Sequence, residues 1–179
     1  ISTDSMEHSA PAFSGDGKIV LWTVLDRTYR APMMEMTFEN GKWSSPHRAA
    51  FADSTADDYY PSFSPDGTKL YFSSNRPLTG TEKKDYDIWY LEKANGKWSE
   101  PKNMGSPVNT TKDEFYPSVA KSGNLYFTKV MDGKDEDIVV CKFSNNKYDT
   151  AVSLPDVINT KGAEFNAFVD PDEQYIFFT

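Results

Sequence analysis

The sequence predicts an all-β fold, a β-propeller built from four-stranded antiparallel blades. Three observations lead to this prediction: one hairpin-like segment recurs four times, a second recurs three times, and no stretch shows sustained helical periodicity. The chain has 179 residues, of which 38% are hydrophobic and 15% aromatic, so it can build the core that such a fold needs.

The first repeated segment has the pattern of a short strand, a tight turn and a second strand of aromatic and β-branched residues. Its copies begin 50, 56 and 50 residues apart, and in the first three the turn carries Asp-Gly or Ser-Gly. The four copies are PAFSGDGKIVLWT from Pro11, PSFSPDGTKLYFS from Pro61, PSVAKSGNLYFT from Pro117 and AFVDPDEQYIFFT from Ala167.

The second repeated segment predicts another hairpin in each unit. Its copies are PMMEMTFENGKW from Pro32, DIWYLEKANGKW from Asp87 and DIVVCKFSNNKY from Asp137. The Asn-Gly and Asn-Asn pairs in them supply the positive φ angles that a tight hairpin turn requires. Two hairpins in about 50 residues are typical of a propeller blade. A β-sandwich also uses many short strands, but sandwiches do not repeat their sequence.

The repeats divide one predicted domain, residues 1–179, into blades. We place blade 1 at about residues 7–56, blade 2 at 57–112, blade 3 at 113–162 and the start of a fourth at 163–179. A ring does not close with about three and a half blades. An open ring would leave unpaired strand edges and an apolar blade face in water, so we expect either further blades of the same protein or another copy of the chain to complete it, and we favour the former.

Composition excludes several classes of function. The formal net charge of -8 disfavours nucleic acid as a partner, because a surface that follows phosphates needs clustered Lys and Arg. No apolar run approaches the ~20 residues of a membrane-spanning helix. The single cysteine, Cys141, excludes an internal disulfide and a multi-cysteine zinc site.

The segment YPSFSPDGTKLYFSSNR, from Tyr60 to Arg76, followed by DYDIWYLEKANGKW resembles the Pro-Asp-Gly variety of WD-like repeat in the TolB-like propeller family. PVNTTKDEFYP, from Pro107 to Pro117, resembles the inter-blade link of such repeats in exported bacterial proteins. The third unit departs from the pattern at Lys121-Ser122-Gly123. The resemblance implies a ring of typically six blades, a periplasmic or secreted location, although no signal peptide is in the chain, and a partner in the cell envelope.

Acidic residues occupy matched positions just before the first strand of each blade. The pairs are Glu7-His8, Asp57-Asp58, Asp113-Glu114 and Ala163-Glu164. Because links between blades lie on one face of a propeller, these residues predict an acidic arc near the central channel. The candidate ligand-binding residues are Asp58, Glu114, Glu164, Arg76, Asn75 and His8, and the candidate metal ligands are Asp57 and Asp113.

Two interpretations of this arc stay open. The carboxylates can accept hydrogen bonds from their own loops and pair with Arg76 between blades. They can instead hold a cation, a sugar or a basic group of a partner over the channel, and Ca²⁺ is the one possible cofactor. The loop DGKDED, from Asp132 to Asp137, lacks the spacing of an EF-hand and is predicted as a solvated loop that binds calcium weakly at most.

Aromatic residues accompany the acids, and they either pack between blades or bind sugar. They are Tyr59, Tyr60, Phe115, Tyr116 and Phe165. Neither a G-x-S-x-G elbow nor an H-E-x-x-H pair is present. The predicted function is therefore a non-catalytic binding module for a protein or a cell-envelope glycan. The alternatives are a glycosidase or lyase that uses two of Asp58, Glu114 and Glu164, and the propeller part of a peptidase.

Overall fold

The computed structural model describes residues 6–25, 31–80, 82, 85–131 and 135–179. Within these ranges all the regular secondary-structure elements are β-strands, so the all-β prediction is confirmed. The same ranges contain no helix of the length and apolarity that a membrane crossing requires.

Three antiparallel sheets follow one another along the chain. Sheet 1 contains β1 (Glu7–His8), β2 (Ala12–Phe13), β3 (Ile19–Leu25), β4 (Met33–Glu39), β5 (Lys42–Trp43) and β6 (His47–Arg48). Sheet 2 contains β7 (Asp58–Phe63), β8 (Lys69–Ser74), β9 (Asp87–Ala94), β10 (Lys97–Trp98) and β11 (Lys102–Asn103). Sheet 3 contains β12 (Glu114–Val119), β13 (Leu125–Val130), β14 (Glu136–Cys141) and β17 (Val152–Ser153).

Two further hairpins complete the described strands. They are β15 (Phe143–Ser144) with β16 (Lys147–Tyr148), and β18 (Phe168–Val169) with β19 (Ile176–Phe177). On its outer side β4 pairs with β5 and β6 in sheet 1, and β9 pairs with β10 and β11 in sheet 2. In sheet 3 β14 pairs with β17, and the β15–β16 hairpin continues from β14 through Lys142, whose carbonyl accepts the Asp149 backbone N–H at 2.8 Å.

The turn between the first two strands repeats in atomic detail. In sheet 2 the Ser64 hydroxyl donates to the Asp66 carboxylate at 2.6 Å, and the same Asp66 oxygen accepts the backbone N–H of Thr68 at 2.9 Å. Gly67 follows with φ of 69°, a conformation that glycine adopts without steric cost. Ser14, Asp16 and Gly17 repeat this arrangement in sheet 1. The repeated turn chemistry of the sequence thus encodes the same local structure.

Register makes the sheets superimposable residue by residue. His8 pairs with Val24, Asp58 with Ser74 and Glu114 with Lys129. A second set of pairs is found at the other end of the same strands. These pairs are Phe13–Val20, Phe63–Leu70 and Val119–Leu125, and on β3, β8 and β13 the two sets are four residues apart. His8, Asp58 and Glu114 therefore occupy equivalent places at the start of the three inner strands.

The core lies between the sheets. One buried cluster joins sheets 1 and 2, and a second joins sheets 2 and 3. Phe72 belongs to the first and Phe127 to the second, both with no exposed surface. Each buried side chain of this size contributes about 1.5–3 kcal/mol, so a strand that is apolar on both faces is stable only between two other sheets. The number of blades and their bounds stay predictions.

Candidate functional site

The candidate site lies on the face where the inner strands begin, which we call the entrance face. In an antiparallel four-stranded sheet the loop from the second to the third strand lies on the same face as the link from the preceding sheet. The starts of β7 and β12 and the residues before β9 therefore all lie on the entrance face. The opposite side, with the turns after the first and third strands, is the turn face.

A bulge in each inner strand shapes the entrance face. The pairing of β7 with β8 shifts register between Tyr59 and Ser62, and that of β12 with β13 shifts between Phe115 and Ser118. At the shift Tyr60 has φ of 55° and Tyr116 has φ of 52°. For a residue with a β-carbon this left-handed conformation costs roughly 1–2 kcal/mol. Such strain is often found at functional sites, where neighbouring structure maintains it.

The two strained tyrosines stack on each other. The ring centroids of Tyr60 and Tyr116 lie 3.8 Å apart at an interplanar angle of 27°. Burial, followed by the neighbouring Tyr116 side chain, raises the pKa of Tyr60 well above its ordinary value, so the phenol stays neutral at physiological pH. Phe115 lies 6.0 Å from Tyr60, and Phe165 lies 6.0 Å from Tyr116.

Tyr86, directly before β9, extends the cluster. Its ring lies 5.8 Å from that of Tyr59 and 5.1 Å from that of Phe115. We call this group the entrance cluster. It comprises the half-buried rings of Tyr59, Tyr60, Tyr86, Phe115, Tyr116 and Phe165. Half-burial leaves part of each ring accessible to a ligand.

A cavity of about 340 Å³ lies beside the stack, between the inner strands. Its walls come from matched positions in four successive units. They are residues 10–13, 60–63, 116–118 and 166–168. Because every wall is an inner strand, the cavity is the described part of the central channel of a propeller. Its volume is within the range of ligand pockets, which begins at about 300 Å³.

Carboxylates surround the entrance cluster. Asp113 accepts the backbone N–H of Tyr86 at 2.8 Å, which fixes this acid beside the ring. Burial, then the neighbouring Tyr59, Asp57 and Asp113, raises the pKa of Tyr86. Desolvation, then the charges of Asp113 and Asp135, raises the pKa of Glu136. Burial is the main cause of both shifts, and the neighbouring carboxylates Asp57, Asp113 and Asp135 add a negative potential near the rings, which favours a cationic ligand.

Asp58 and Arg76 form a buried ion pair within sheet 2. The Arg76 guanidinium donates to both Asp58 oxygens, at 2.8 and 2.9 Å, and its Nε donates to the Ser74 hydroxyl at 3.1 Å. The guanidinium lies over the rings of Phe72 and Trp89. Burial raises the pKa of Asp58 against the opposing effect of Arg76. The pair anchors the start of β7 to the end of β8.

Glu114 and Glu164 close the links that precede their strands. Thr110 donates its hydroxyl to Glu114 at 2.6 Å and its backbone N–H to both carboxylate oxygens at 3.2 Å. Thr160 donates to Glu164 through the same two groups. Burial raises the pKa of Glu114 to about 7, although the Thr110 hydrogen bonds oppose the shift. Each glutamate thus clamps its own loop.

An asparagine completes each clamp. Asn109 accepts the backbone N–H of Ile88 and donates to the Ile88 carbonyl, both at 2.9 Å. Asn159 binds Ile138 in the same way, at 3.0 and 2.9 Å. The recurring unit is therefore Asn-Thr-x-x-x-Glu, which joins the link to the first residues of the strand before it, at Ile88 of β9 and Ile138 of β14. Sequence reasoning singled out the glutamates but not their partners.

The other predicted residues also have partners inside the protein. Asn75 accepts the Asp57 backbone N–H at 3.0 Å and donates to the Asp57 carboxylate at 3.2 Å. His8 accepts the indole N–H of Trp22 at 3.1 Å. Among the described residues no group of three or more His, Cys, Asp or Glu is arranged to hold a metal ion. Residues 132–134 of the predicted weak calcium loop lie outside the described residues.

The structure thus places the predicted acids behind the surface and the aromatic residues on it. Asp58 and Glu114 are fully buried, and Glu164 nearly so. Direct contact with a ligand would require their loops to open, and their ligand-binding role stays a prediction. Tyr86 and Glu136 were not singled out from the sequence, since Tyr86 lies directly before β9 and Glu136 begins β14, and only the fold reveals where these positions lie relative to the inner strands.

Solved structures share this fold. The chain is similar to a TolB-type protein from Agrobacterium tumefaciens, with a TM-score of 0.64, 17% identity and coverage of 97% of this chain and 53% of that one. It is also similar to TolB from Acinetobacter baumannii, with a TM-score of 0.63, 16% identity and coverage of 97% of this chain and 37% of that one.

An enzyme shares the same fold. A puromycin-hydrolyzing peptidase from Mycobacterium tuberculosis matches with a TM-score of 0.63, 12% identity and coverage of 95% of this chain and 25% of that one. No protein-family model matches the chain, and a search of curated proteins finds no match. The chain spans at most about half the length of these three structures. The fold is a TolB-like β-propeller.

Proposed function

We propose that this protein is a non-catalytic binding module that recognises a protein or glycan of the cell envelope on its entrance face. A protein segment with basic side chains is the ligand that fits best. One observation supports this choice most directly: the stacked pair Tyr60–Tyr116 lies beside the channel and among carboxylates. Aromatic faces attract Lys and Arg, and the surrounding negative potential adds to that attraction.

In this proposal the buried acids support the site without touching the ligand. The Asp58–Arg76 pair and the Glu114 clamp fix the starts of β7 and β12, just before the bulges that carry the two tyrosines. A rigid support of this kind reduces the entropy that binding would otherwise lose. It also maintains the left-handed backbone of the tyrosines.

A glycan is the second candidate, because half-buried tyrosines can also stack on sugar rings. A glycosidase or lyase needs an accessible acid. Glu114, with a pKa of about 7, has the ionisation expected of a general acid, but it is fully buried behind Thr110. The enzymatic alternative and the role as part of a peptidase stay predictions. We propose a periplasmic or secreted location on the resemblance of the repeats to those of exported proteins.

The experiment uses a substitution that the chain itself provides. Asn166 occupies the position equivalent to Tyr60 and Tyr116 and has φ of 57°. Tyr60→Asn and Tyr116→Asn therefore remove the rings and introduce a residue that tolerates the left-handed backbone conformation of these positions. Tyr175→Asn, in the last hairpin and outside the entrance cluster, is the matched control.

Binding is measured by fluorescence anisotropy with labelled ten-residue peptides that carry Arg or Glu at the same positions, and with peptidoglycan fragments. We expect the Arg peptide to bind, and each entrance variant to weaken it roughly tenfold because a desolvated cation–π contact is lost. Higher salt should weaken binding further. Equal affinity for the Arg and Glu peptides, or unchanged affinity in both tyrosine variants, would refute the proposal. Binding of the glycan fragments alone would favour the second candidate.

A further inference from the structure

A second groove lies between sheets 2 and 3, on the turn face. Its outer part has a volume of about 350 Å³, and an inner part of about 190 Å³ shares Lys69, Tyr71, Phe143 and Tyr148 with it. The outer part is lined by Lys69, Tyr71, Tyr90, Asn103, Met104, Phe143, Asn146 and Tyr148. None of these residues belongs to the entrance cluster, so the groove is a separate feature.

One wall of the groove comes from the outer hairpin of sheet 3. The β15–β16 hairpin continues from β14 through Lys142, whose carbonyl accepts the Asp149 backbone N–H at 2.8 Å, as the Glu92 carbonyl accepts that of Ser99 in sheet 2. Asn124 accepts the Phe143 backbone N–H at 2.9 Å. The Phe143 ring lies against Gly123, where a β-carbon would come within 2.7 Å of it. The glycine of the atypical Lys-Ser-Gly turn thus allows this ring to pack against the turn and form part of the wall.

Aromatic side chains form both walls. Tyr71 and Tyr90 lie with centroids 6.2 Å apart on sheet 2, and Phe143 and Tyr148 lie 4.9 Å apart on the hairpin. The half-buried Tyr148 lines both parts of the groove, so its hydroxyl is placed to form a hydrogen bond with a ligand. Flat apolar surfaces with a few polar groups are what a sugar ring requires.

Lys69 is the charged residue among those that line the outer part of the groove. The ammonium groups of Lys69 and Lys102 lie 5.4 and 5.8 Å from the centroid of the Tyr90 ring. They share one carboxylate, Glu92, at 3.8 Å from Lys69 and 2.6 Å from Lys102. In the inner part the Asp66 carboxylate accepts hydrogen bonds from its own turn, and Lys121 pairs with Asp172. A ligand in the outer part therefore meets the Lys69 ammonium, and none of the described residues that line this part is acidic.

We infer that this groove binds a saccharide ring that carries a carboxylate. The ring lies against the aromatic pair of the hairpin, its hydroxyls reach the Tyr148 hydroxyl and the exposed Asn146 amide, and its carboxylate meets Lys69. A neutral sugar lacks the last contact. The site lies on the turn face and does not depend on the function proposed for the entrance face.

The test is a titration of the ¹⁵N-labelled full-length protein with glucuronate, with glucose as the uncharged counterpart. We expect glucuronate to shift the amide signals of Asn103, Asn146 and Tyr148, and glucose to bind at least severalfold more weakly. Lys69→Gln should weaken glucuronate roughly fivefold, the size expected for a half-exposed ion pair. Lys97→Gln, on the exposed β10 and outside the lining, should leave affinity unchanged.

Tyr148→Phe provides an independent check, because it keeps the aromatic surface and removes the hydroxyl. Weaker binding of glucuronate with an unchanged melting temperature would support the inference. Three results would overturn it: no shift of the groove signals at tens of millimolar glucuronate, equal affinity for glucose and glucuronate, or equal affinity of the wild type and the Lys69 variant.

Discussion

Glu114→Gln should change how stability depends on pH. The carboxyl group is fully buried, and burial raises its pKa from an ordinary 4.5 to about 7. Between these values the native state holds a proton that the unfolded chain has released. Stability should therefore fall as pH rises from about 4.5 to about 7 and stay level above that range. Glutamine does not titrate, so the variant should lack this fall.

The magnitude follows from the pKa difference. At 1.36 kcal/mol for each pH unit, the change from 4.5 to about 7 corresponds to roughly 3 kcal/mol, an upper limit because the folded loop can adjust. We expect the Gln variant to gain about 1–3 kcal/mol over the wild type at pH 8 and to lie within about 1 kcal/mol of it at pH 5. The Thr110 hydroxyl can still donate to the amide oxygen, so the clamp persists.

Urea unfolding followed by tryptophan fluorescence at pH 5, 6, 7 and 8 measures the difference directly. Subtracting the stability of the variant from that of the wild type cancels the titration of other acids, such as the buried Asp58 and the half-buried Glu136. A stability difference that is constant from pH 5 to pH 8 would show that Glu114 does not titrate in this window. A variant that is less stable at pH 8 than the wild type would show that the ionised form is favoured by its partners.

Two further substitutions test the support of the two sites. Arg76→Met leaves the buried Asp58 charge without its partner and should lower the free energy of unfolding in urea by about 3–5 kcal/mol. Adding Asp58→Asn should recover part of this stability. No recovery in the double variant would contradict a charge effect. Gly123→Ala should lower stability more than Gly67→Ala, because both glycines have positive φ but only Gly123 lies against a ring. Equal decreases in melting temperature would exclude the steric explanation.

The fold could be predicted from the sequence because its signals are local and repeated. The Ser-x-Asp-Gly turn and the Asn-Gly hairpins specify their own backbone conformations, and Asn40 and Asn95 have the positive φ that their pattern requires. The repeat alone predicted that Asp58 and Glu114 occupy equivalent positions. The structure agrees, because Asp58 pairs with Ser74 and Glu114 pairs with Lys129 in the same register. Such features depend only on residues a few positions apart.

The direction in which side chains point could not be predicted in this way. The glutamate of each link is close in sequence to the inner strand, but Thr110 and Thr160 turn it towards the interior. The left-handed conformation of Tyr60 and Tyr116 depends on a bulge, which shows only as a shift in the pairing of two strands. The groove beside Tyr148 lies between two sheets, and its walls come from residues far apart in the sequence, such as Tyr71 and Tyr148.

The strain at the two bulges is an argument for function that the buried acids do not supply. Two left-handed tyrosines together cost roughly 2–4 kcal/mol, a large part of the stability of a small domain. Asn166 shows that the same backbone can be formed with a residue that tolerates it better. Stability alone would therefore favour asparagine at Tyr60 and Tyr116 unless stacking offsets the cost. Aromatic pairs contribute about 0.5–1.5 kcal/mol beyond burial, and the two rings also contact Tyr59, Phe115 and Phe165. The Tyr→Asn variants therefore separate the two explanations: a higher melting temperature with weaker binding would support recognition, whereas a lower melting temperature with unchanged binding would support packing.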